Sequence, residues 1–230
     1  MRNIRYNKKN LSLFASVISC SLMLAVCTVF ILVSPHKDSV APSLPCDISE
    51  SFAENEIKQL VSLGVLGTQK SGDDVFFLPT SDVTREYFAC SIVRFFSINV
   101  EDYASFELNI ADQANISKEN LPFIRACLAN GLMETVTLEE KEYFLPNTPI
   151  SREEAANIIG SLSTAIIATT RADGFSDMET AEENYINNLT KLIDIQVLIG
   201  YPDGTIKPKN TLTREEFAVM LWRVLQNESF

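Results

Sequence analysis

Histidine is almost absent from this 230-residue sequence, and the single copy is His36. Catalytic triads, proton shuttles and most catalytic zinc sites use histidine, so one copy leaves little basis for them. The eight glycines form no phosphate-binding loop. The 30 acidic residues include no pattern that singles out a hydrolytic pair. We therefore predict that the protein is not an enzyme and that it uses neither a metal ion nor a cofactor.

Positive charge is also scarce. Lys and Arg number 19 against 30 Asp and Glu, and four of the basic residues lie in the first ten positions. All acids follow residue 33, so the remainder has 15 basic and 30 acidic residues, a formal charge of −15. Such a surface repels nucleic acids and phospholipid headgroups, and an anionic ligand must be held by local basic sites. The charge excludes nucleic acid as a partner.

Cysteine is sparse as well, with five copies in the chain. Cys20 and Cys27 lie in an apolar run, and Cys46, Cys90 and Cys127 follow it. Three is an odd number, and the spacings match no metal-binding pattern. We expect free, mostly buried thiols, with Cys127 packed as a small core hydrophobe.

Charge is missing altogether from residues 11–33, a run of 23 positions. At ~1.5 Å per residue a helix of that length is ~35 Å long, which is enough to cross a ~30 Å hydrocarbon layer. The run is longer than the apolar core of a cleaved signal peptide, and basic residues precede it. We predict an uncleaved transmembrane anchor at 11–33, a cytoplasmic tail at 1–10, a linker at 34–44, and the bulk of the chain outside the membrane.

An alternative concerns Cys20. The string Val17-Ile18-Ser19-Cys20 resembles the lipobox of bacterial lipoproteins, in which the cysteine is acylated after cleavage. The thirteen residues that follow carry no charge, whereas a mature lipoprotein normally begins with a polar tether. We favour the anchor and keep lipidation of Cys20 as the alternative.

After the charge-free run, the chain repeats one sequence unit three times. The repeated strings are Val83-Thr84-Arg85-Glu86, Ile150-Ser151-Arg152-Glu153 and Leu212-Thr213-Arg214-Glu215, with arginines 67 and then 62 residues apart. A proline lies six positions before each arginine, and a bulky apolar residue lies eight positions before it. Apolar residues recur at helical spacing after each arginine and before each loop. We predict an all-α fold with helix-loop-helix units at 45–96, 107–162 and 173–227.

Helix capping explains why most residues of the repeated motif recur. Thr213 and Glu216 have the spacing of a capping box, and so do Ser151 and Glu154. Thr84 has only the hydroxyl half of such a box. Capping does not account for the arginine.

The arginine of each copy falls in the first helical turn, where a cation costs about 0.3–1 kcal/mol against the helix dipole. An anion would gain as much there, and arginine binds a carboxylate through two parallel N–H bonds. We predict that the helix N-terminus and the guanidinium of Arg85, Arg152 and Arg214 face an anionic ligand. Alternatively, each arginine pairs with an acid of its own or a neighbouring unit and only stabilises the fold. The candidate acids are Asp47, Asp112 and Asp177.

The third unit carries three motifs that closely resemble the S-layer homology repeat. They are Phe175-Ser176-Asp177, Gly200-Tyr201-Pro202-Asp203-Gly204-Thr205-Ile206-Lys207-Pro208 and Leu212-Thr213-Arg214-Glu215-Glu216-Phe217-Ala218. The resemblance implies a pseudo-threefold triad of three repeats around a central helical bundle. It also implies non-covalent binding of a pyruvylated, anionic polysaccharide linked to peptidoglycan, in grooves between repeats.

The resemblance supplies a set of predicted contacts. Tyr201-Pro202-Asp203-Gly204 has the composition of a turn, whose N–H groups and tyrosine ring would face a sugar. The motif arginines would bind the acidic group of that sugar. The predicted ligand-binding residues are Arg85, Arg152, Arg214, Asp177, Tyr201, Asp203, Gly204 and Thr205.

The first two units depart from the family pattern. Neither contains the Gly-Tyr-Pro-Asp-Gly-Thr turn. Tyr87 replaces the glutamate that is Glu154 and Glu216 in the other units, and Pro45 stands where the family has an aromatic residue ahead of Asp47. We expect fewer than three working grooves.

These features together predict a single-pass protein of the cell membrane that tethers itself to the bacterial cell wall. The alternative is a scaffold for another envelope protein, with degenerate grooves and an acidic docking surface. The absence of a recognisable cargo domain motivates that alternative.

Overall fold

The computed structural model describes residues 43–165, 174–227 and 230. Its α-helices are α1 (Glu54–Ser62), α2 (Arg85–Phe95), α3 (Leu121–Ala129), α4 (Arg152–Leu162), α5 (Ile186–Asp194) and α6 (Arg214–Gln226). The predicted all-α class is confirmed. The predicted anchor at 11–33 lies outside the described residues, and so does the alternative at Cys20. Among the residues described, no helix has both the length and the apolar character needed to span a bilayer.

The loops that connect the two helices of each unit differ. In the first two units the loop forms an antiparallel hairpin. The paired strands are β1 (Gln69–Ser71) with β2 (Asp74–Phe76), and β3 (Val136–Leu138) with β4 (Lys141–Tyr143). The shorter loop of the third unit is a tight turn, in which the N–H of Tyr201 donates to the carbonyl of Thr205 at 2.8 Å. Gly204 has a φ of 79° in this turn, a conformation that favours glycine.

Three backbone hydrogen bonds join the segments that precede α2, α4 and α6 into a closed ring. The N–H of Val83 donates to Leu212 at 2.8 Å, that of Leu212 to Ile150 at 3.1 Å, and that of Ile150 to Val83 at 2.9 Å. All three side chains are fully buried. Because each segment donates to one neighbour and accepts from the other, the units are arranged around a pseudo-threefold axis.

Helices of neighbouring units pack against each other around this ring. Helix α2 contacts α3 of the second unit, α4 contacts α5 of the third, and α6 contacts α1 of the first. The rings of Phe88 and Phe217 lie 5.1 Å apart in the shared core. The apolar residues eight positions before the arginines are buried, as their pattern predicts: Phe77, Phe144 and Ile206.

The described cysteines are free, and two of them belong to the core. Cys90 and Cys127 are buried, and burial raises the pKa of both thiols to about 12. Cys46 is exposed. The prediction that Cys127 packs as a core side chain is confirmed.

Close packing in the third unit depends on Gly200. A Cβ atom added there would lie 2.0 Å from Cε1 of Phe175 and 2.7 Å from the carbonyl oxygen of Thr205. The second unit has Thr135 at this position and Ile110 in place of Phe175. The larger ring of the third unit therefore requires the smaller residue opposite it.

We expect Gly200→Ala to lower the free energy of unfolding by about 1–3 kcal/mol, because the added methyl group overpacks the contact with Phe175. Urea unfolding of the full-length chain measures the change. Gly174→Ala is the matched control, since a Cβ atom at Gly174 meets nothing within 4 Å. Equal stability of the two variants would contradict the packing argument.

Candidate functional site

Each motif arginine lies at a junction between its own unit and the next one. At the first junction Arg85 contacts Glu134, Phe144 and Glu154. At the second junction Arg152 contacts Ile199, Ile206 and Glu216. At the third junction Arg214 contacts Gly67, Phe77 and Tyr87. The three arginines are only 5–6% exposed. They occupy separate junctions and do not converge on one site.

The N-termini of α2, α4 and α6 do not face open space, contrary to the prediction. The first helical N–H groups donate to carbonyls of the neighbouring unit, each at 2.9 Å: Arg85 to Thr148, Arg152 to Asn210 and Arg214 to Ser81. The second N–H groups donate to the motif prolines at 2.9–3.0 Å: Glu86 to Pro146, Glu153 to Pro208 and Glu215 to Pro79. These backbone N–H groups therefore have hydrogen-bond partners within the protein. An anion at a junction would be bound by the guanidinium alone.

At the first junction the guanidinium of Arg85 has protein partners on each nitrogen. Nε donates to the carbonyl of Phe144 at 2.8 Å, and Nη2 donates to that of Glu134 at 2.6 Å. Nη1 forms an ion pair with Glu154, whose side chain is 27% exposed. The charge of Arg85 is thus matched by a carboxylate of the second unit.

The second junction repeats this arrangement with a weaker ion pair. Nε of Arg152 donates to Ile206 at 3.1 Å, Nη2 donates to Ile199 at 3.3 Å, and Nη1 lies 3.5 Å from Oε1 of Glu216. The guanidinium carbon lies 4.9 Å from the ring centre of Tyr201, whose hydroxyl donates to Glu216. Burial, followed by this hydrogen bond, raises the pKa of Tyr201 to about 12.

The third junction breaks the pattern. Nη2 of Arg214 donates to the carbonyl of Gly67 at 2.7 Å, but Nε is buried without a hydrogen-bond partner. The guanidinium carbon lies 3.8 Å from the ring centre of Tyr87 and 4.6 Å from that of Phe77. Among the described residues no carboxylate forms an ion pair with Arg214.

Tyr87 occupies the place of the missing carboxylate. Its hydroxyl donates to Gly67 at 3.1 Å, and burial raises its pKa to about 12, so the phenol is neutral at physiological pH. Burial also lowers the pKa of Arg214 below its ordinary value, against the opposing effects of Tyr87 and Asp47. The guanidinium remains charged and is desolvated without a paired anion.

The hydroxyl caps are present in all three units. The accepting side chains are those of Thr84, Ser151 and Thr213, which bind the N–H three residues ahead at 3.1–3.3 Å. The full capping box occurs at Thr213, where Glu216 also accepts the N–H of Thr213 at 3.1 Å. At Ser151 the reciprocal half is absent, because Glu154 is turned towards Arg85 instead.

The glutamate that follows each arginine also crosses a junction. Glu86 accepts from Ser117 and Asn120, Glu153 from Glu182 and Lys209, and Glu215 from Ser51, at 2.7–3.2 Å. Apart from Lys209, which precedes α6, these donors lie just before the first helix of the next unit. Motif spacing did not reveal this role, although the Arg-Glu pair is repeated in all three copies.

The aspartates proposed as arginine partners have a different role. Each carboxylate accepts two backbone N–H bonds at 2.7–2.9 Å: Asp47 from Phe77 and Leu78, Asp112 from Phe144 and Leu145, and Asp177 from Ile206 and Lys207. The second residue of each pair has a positive φ, of 59°, 58° and 51°. The aspartates therefore hold strained backbone, and both oxygens of Asp177 are occupied within the unit.

The turn of the third unit is also satisfied internally. Asp203 accepts the N–H of Thr205 at 3.1 Å and its hydroxyl, and pairs with Lys207 at 3.2 Å. The hydroxyl bond is the main cause that lowers the pKa of Asp203. Gly204 donates its N–H to Tyr201 at 3.0 Å. Of the predicted turn contacts, Tyr201 is the one that reaches a motif arginine.

A metal site and a ligand cavity are the other kinds of site to consider in the described part of the chain. Its His, Cys, Asp and Glu side chains form no group of three that could hold a metal ion. A cavity of about 500 Å³ lies in the second unit, between residues 106–110 and the β3–β4 hairpin. Its lining includes Glu134, whose carbonyl binds Arg85 at the first junction.

Comparisons with known proteins match parts of this sequence. The family model for the S-layer homology domain matches residues 109–156 and 174–218, which together are less than half of the chain. The Surface-layer 125 kDa protein of Lysinibacillus sphaericus is 25% identical over 185 residues, which are 76% of this chain and 14% of that protein. The chain thus spans a small part of that relative. The matches support S-layer homology repeats in the second and third units and point to a structural cell-wall protein.

We expect the pair of Arg85 and Glu154 to be strongly coupled, because Arg85 is buried. A double-mutant cycle with Arg85→Gln and Glu154→Gln, measured by urea unfolding, should give a coupling free energy of about 1–3 kcal/mol. The control cycle uses Lys58 and Glu54, an i,i+4 pair in which both side chains are 37% exposed. That pair should couple by about 0.3–0.5 kcal/mol. Similar values for the two cycles would contradict the buried ion pair.

Proposed function

We propose that this protein binds an anionic, pyruvylated polysaccharide of the cell wall at the junctions between its repeats. The observation that carries the proposal is the buried guanidinium at each junction, in a chain whose matched segments are S-layer homology repeats. Arginine is suited to a sugar-borne carboxylate, because its planar fork donates two parallel N–H bonds that lysine cannot reproduce. The wall polymer is then held by local charge, against the net repulsion of an acidic chain.

Aromatic rings beside the arginines favour a sugar over a simple anion. Tyr201 lies against Arg152 at the second junction, and Tyr87 lies against Arg214 at the third. Such rings offer an apolar surface to the face of a sugar or to the methyl group of a pyruvyl ketal. In this proposal Arg85, Arg152, Arg214 and Tyr201 are the candidate contacts. The bonds of Asp177, Asp203, Gly204 and Thr205 within the third unit suit them to shaping the site.

We also propose that the first unit is a third repeat of the same kind. Its contacts with its neighbours follow the same cyclic scheme of backbone bonds, caps and glutamates as the other two units. The membrane anchor at 11–33 would then hold this triad outside the cell, close to the wall. That part of the proposal rests on the charge-free run and the basic residues before it.

A scaffold for another envelope protein is the second candidate. Glu154 and Glu216 already neutralise the arginines of two junctions. Such internal pairing is expected of degenerate grooves that no longer bind the polymer. The acidic chain would then dock a basic protein surface. Retention of this protein by such a partner, without retention by wall polymer, would favour the scaffold.

Co-sedimentation of the full-length chain in detergent with purified cell walls tests the binding proposal. We expect retention on walls that carry the pyruvylated polymer and at least about tenfold weaker retention on walls stripped of it. The variants Arg152→Gln and Arg214→Gln should weaken retention. Lys70→Gln removes the same charge from an exposed strand residue and is the matched control. Equal retention on complete and stripped walls would overturn the proposal.

Membrane attachment is tested by fractionation of cells that express the full-length chain. The protein should stay in the membrane pellet after an alkaline carbonate wash, because a spanning apolar helix is not released by loss of ionic contacts. Cys20→Ser should leave this result unchanged and alter the mass of the protein only by the difference between the two side chains. A larger difference in mass between the wild type and Cys20→Ser would instead indicate cleavage and lipidation at Cys20.

A further inference from the structure

The cavity of about 500 Å³ in the second unit is lined by segment 106–110, the end of α3 and the β3–β4 hairpin. Its volume is within the ~300–1,000 Å³ that is typical of ligand pockets. Part of its lining is apolar, because Leu108, Ile110 and Leu128 face it and also pack against the core. The arginine side chains of the three junctions do not line this cavity.

The charged side chains that line this cavity are acidic. They belong to Glu107, Glu134 and Glu142, and no described lysine or arginine lines the cavity with them. None of the three carboxylates forms an ion pair with another described residue. Three carboxylates around one cavity favour a cationic occupant and disfavour an anionic polysaccharide.

The carboxylate of Glu142 is held in position by two hydroxyl groups. Thr135 and Thr137 both donate to it, the second at 2.6 Å. These bonds lower the pKa of Glu142, so the carboxylate is charged at physiological pH. An acceptor that is already fixed loses little conformational freedom when it binds a cation.

The hairpin of the first unit has different residues at the same positions. The middle pair of the second hairpin is Thr137 with Glu142, whereas that of the first hairpin is Lys70 with Val75. Val75 is 5% exposed. The fold can therefore fill this position with a buried valine, and the carboxylate in the second unit points to a role other than packing.

Exposed apolar side chains continue from the cavity along β3. Phe106 lines the cavity and is 41% exposed, while Val136 and Leu138 of β3 are 39% and 47% exposed. The corresponding residues of the first hairpin are Gln69 and Ser71, which are polar. Exposed apolar residues beside a cavity are typical of surfaces that bind another protein.

We infer that this cavity and β3 bind a basic, partly apolar segment of another protein, with a lysine or arginine of that segment on Glu142. Aliphatic or aromatic side chains next to that base contact Phe106, Val136 and Leu138. A small amine would use the carboxylates but would leave these exposed apolar side chains uncovered, so a protein segment fits the surface better. The site is separate from the arginines of the junctions, and the inference does not depend on wall binding.

Fluorescence anisotropy with a labelled model peptide tests this inference. The probe is a blocked octapeptide of alternating lysine and leucine, titrated with the full-length chain in a non-ionic detergent, and empty micelles serve as the blank. We expect saturable binding that weakens as salt is added, because the contacts are partly ionic. The same peptide with glutamate in place of lysine should not bind, because it would meet carboxylates of the same charge.

Two variants test the two kinds of contact. Glu142→Gln removes the charge but keeps an acceptor for the two threonines, and it should weaken peptide binding at least about fivefold. Glu140→Gln removes the same charge from the exposed turn of the hairpin, so it is the matched control and should change the affinity less than about twofold. Phe106→Ser should also weaken binding, because it removes exposed apolar surface. Thermal unfolding of each variant checks that it is folded.

Equal affinities of the wild type and Glu142→Gln would overturn the inference, and so would the absence of saturable binding by the wild type. Equal affinities for the lysine–leucine peptide and a lysine–serine peptide would also overturn it, since the apolar side chains would then contribute nothing. Wall retention of Glu142→Gln is measured in parallel and should equal that of the wild type. Loss of peptide binding with intact wall retention would support a second binding surface that is independent of the wall-binding function.

Discussion

Three backbone hydrogen bonds between Val83, Ile150 and Leu212 form the constraint on which the rest of the structure depends. None of these short segments pairs within its own unit, so each unit needs both neighbours to satisfy its backbone. The ring also sets where α2, α4 and α6 begin. Because those helix ends point at the neighbouring loop, the proline carbonyls of that loop can accept their N–H groups.

The side chains of the motif follow from the same geometry. In each copy the hydroxyl caps its own helix, the arginine binds carbonyls of the next unit, and the adjacent glutamate meets the start of that unit's first helix. The main role of the motif residues is therefore to join neighbouring units. An arginine conserved in position among the three copies is explained by this structural role before any ligand is considered.

Ligand binding and assembly make opposite demands on such an arginine. A counter-ion inside the protein, such as Glu154, stabilises the junction but occupies the charge. Replacing the counter-ion by Tyr87 leaves Arg214 buried with an unpartnered Nε. This arrangement lowers the stability of the third junction. The other two arginines keep their counter-ions, and the backbone ring joins all three units.

Local patterns in the sequence were sufficient to predict the helices and the hydroxyl caps. Helical periodicity, the prolines and the Thr/Ser caps all act over a few residues, so they can be read without knowing the fold. The partners of the arginines could not be read in this way. Glu154 is 69 positions from Arg85, and only the arrangement around the threefold axis brings the two together.

Sequence by itself thus determined the helical class of the chain and the presence of one arginine in each copy of the motif, because those features are local. Tertiary structure alone decided that the aspartates hold backbone, that the helix N-termini are closed, and that Arg85 and Arg152 are neutralised while Arg214 is not. The substitution at Tyr87 was visible in the sequence, but its consequence was not. Charge pairing depends on distances across unit boundaries, and the cyclic packing of the units sets those distances.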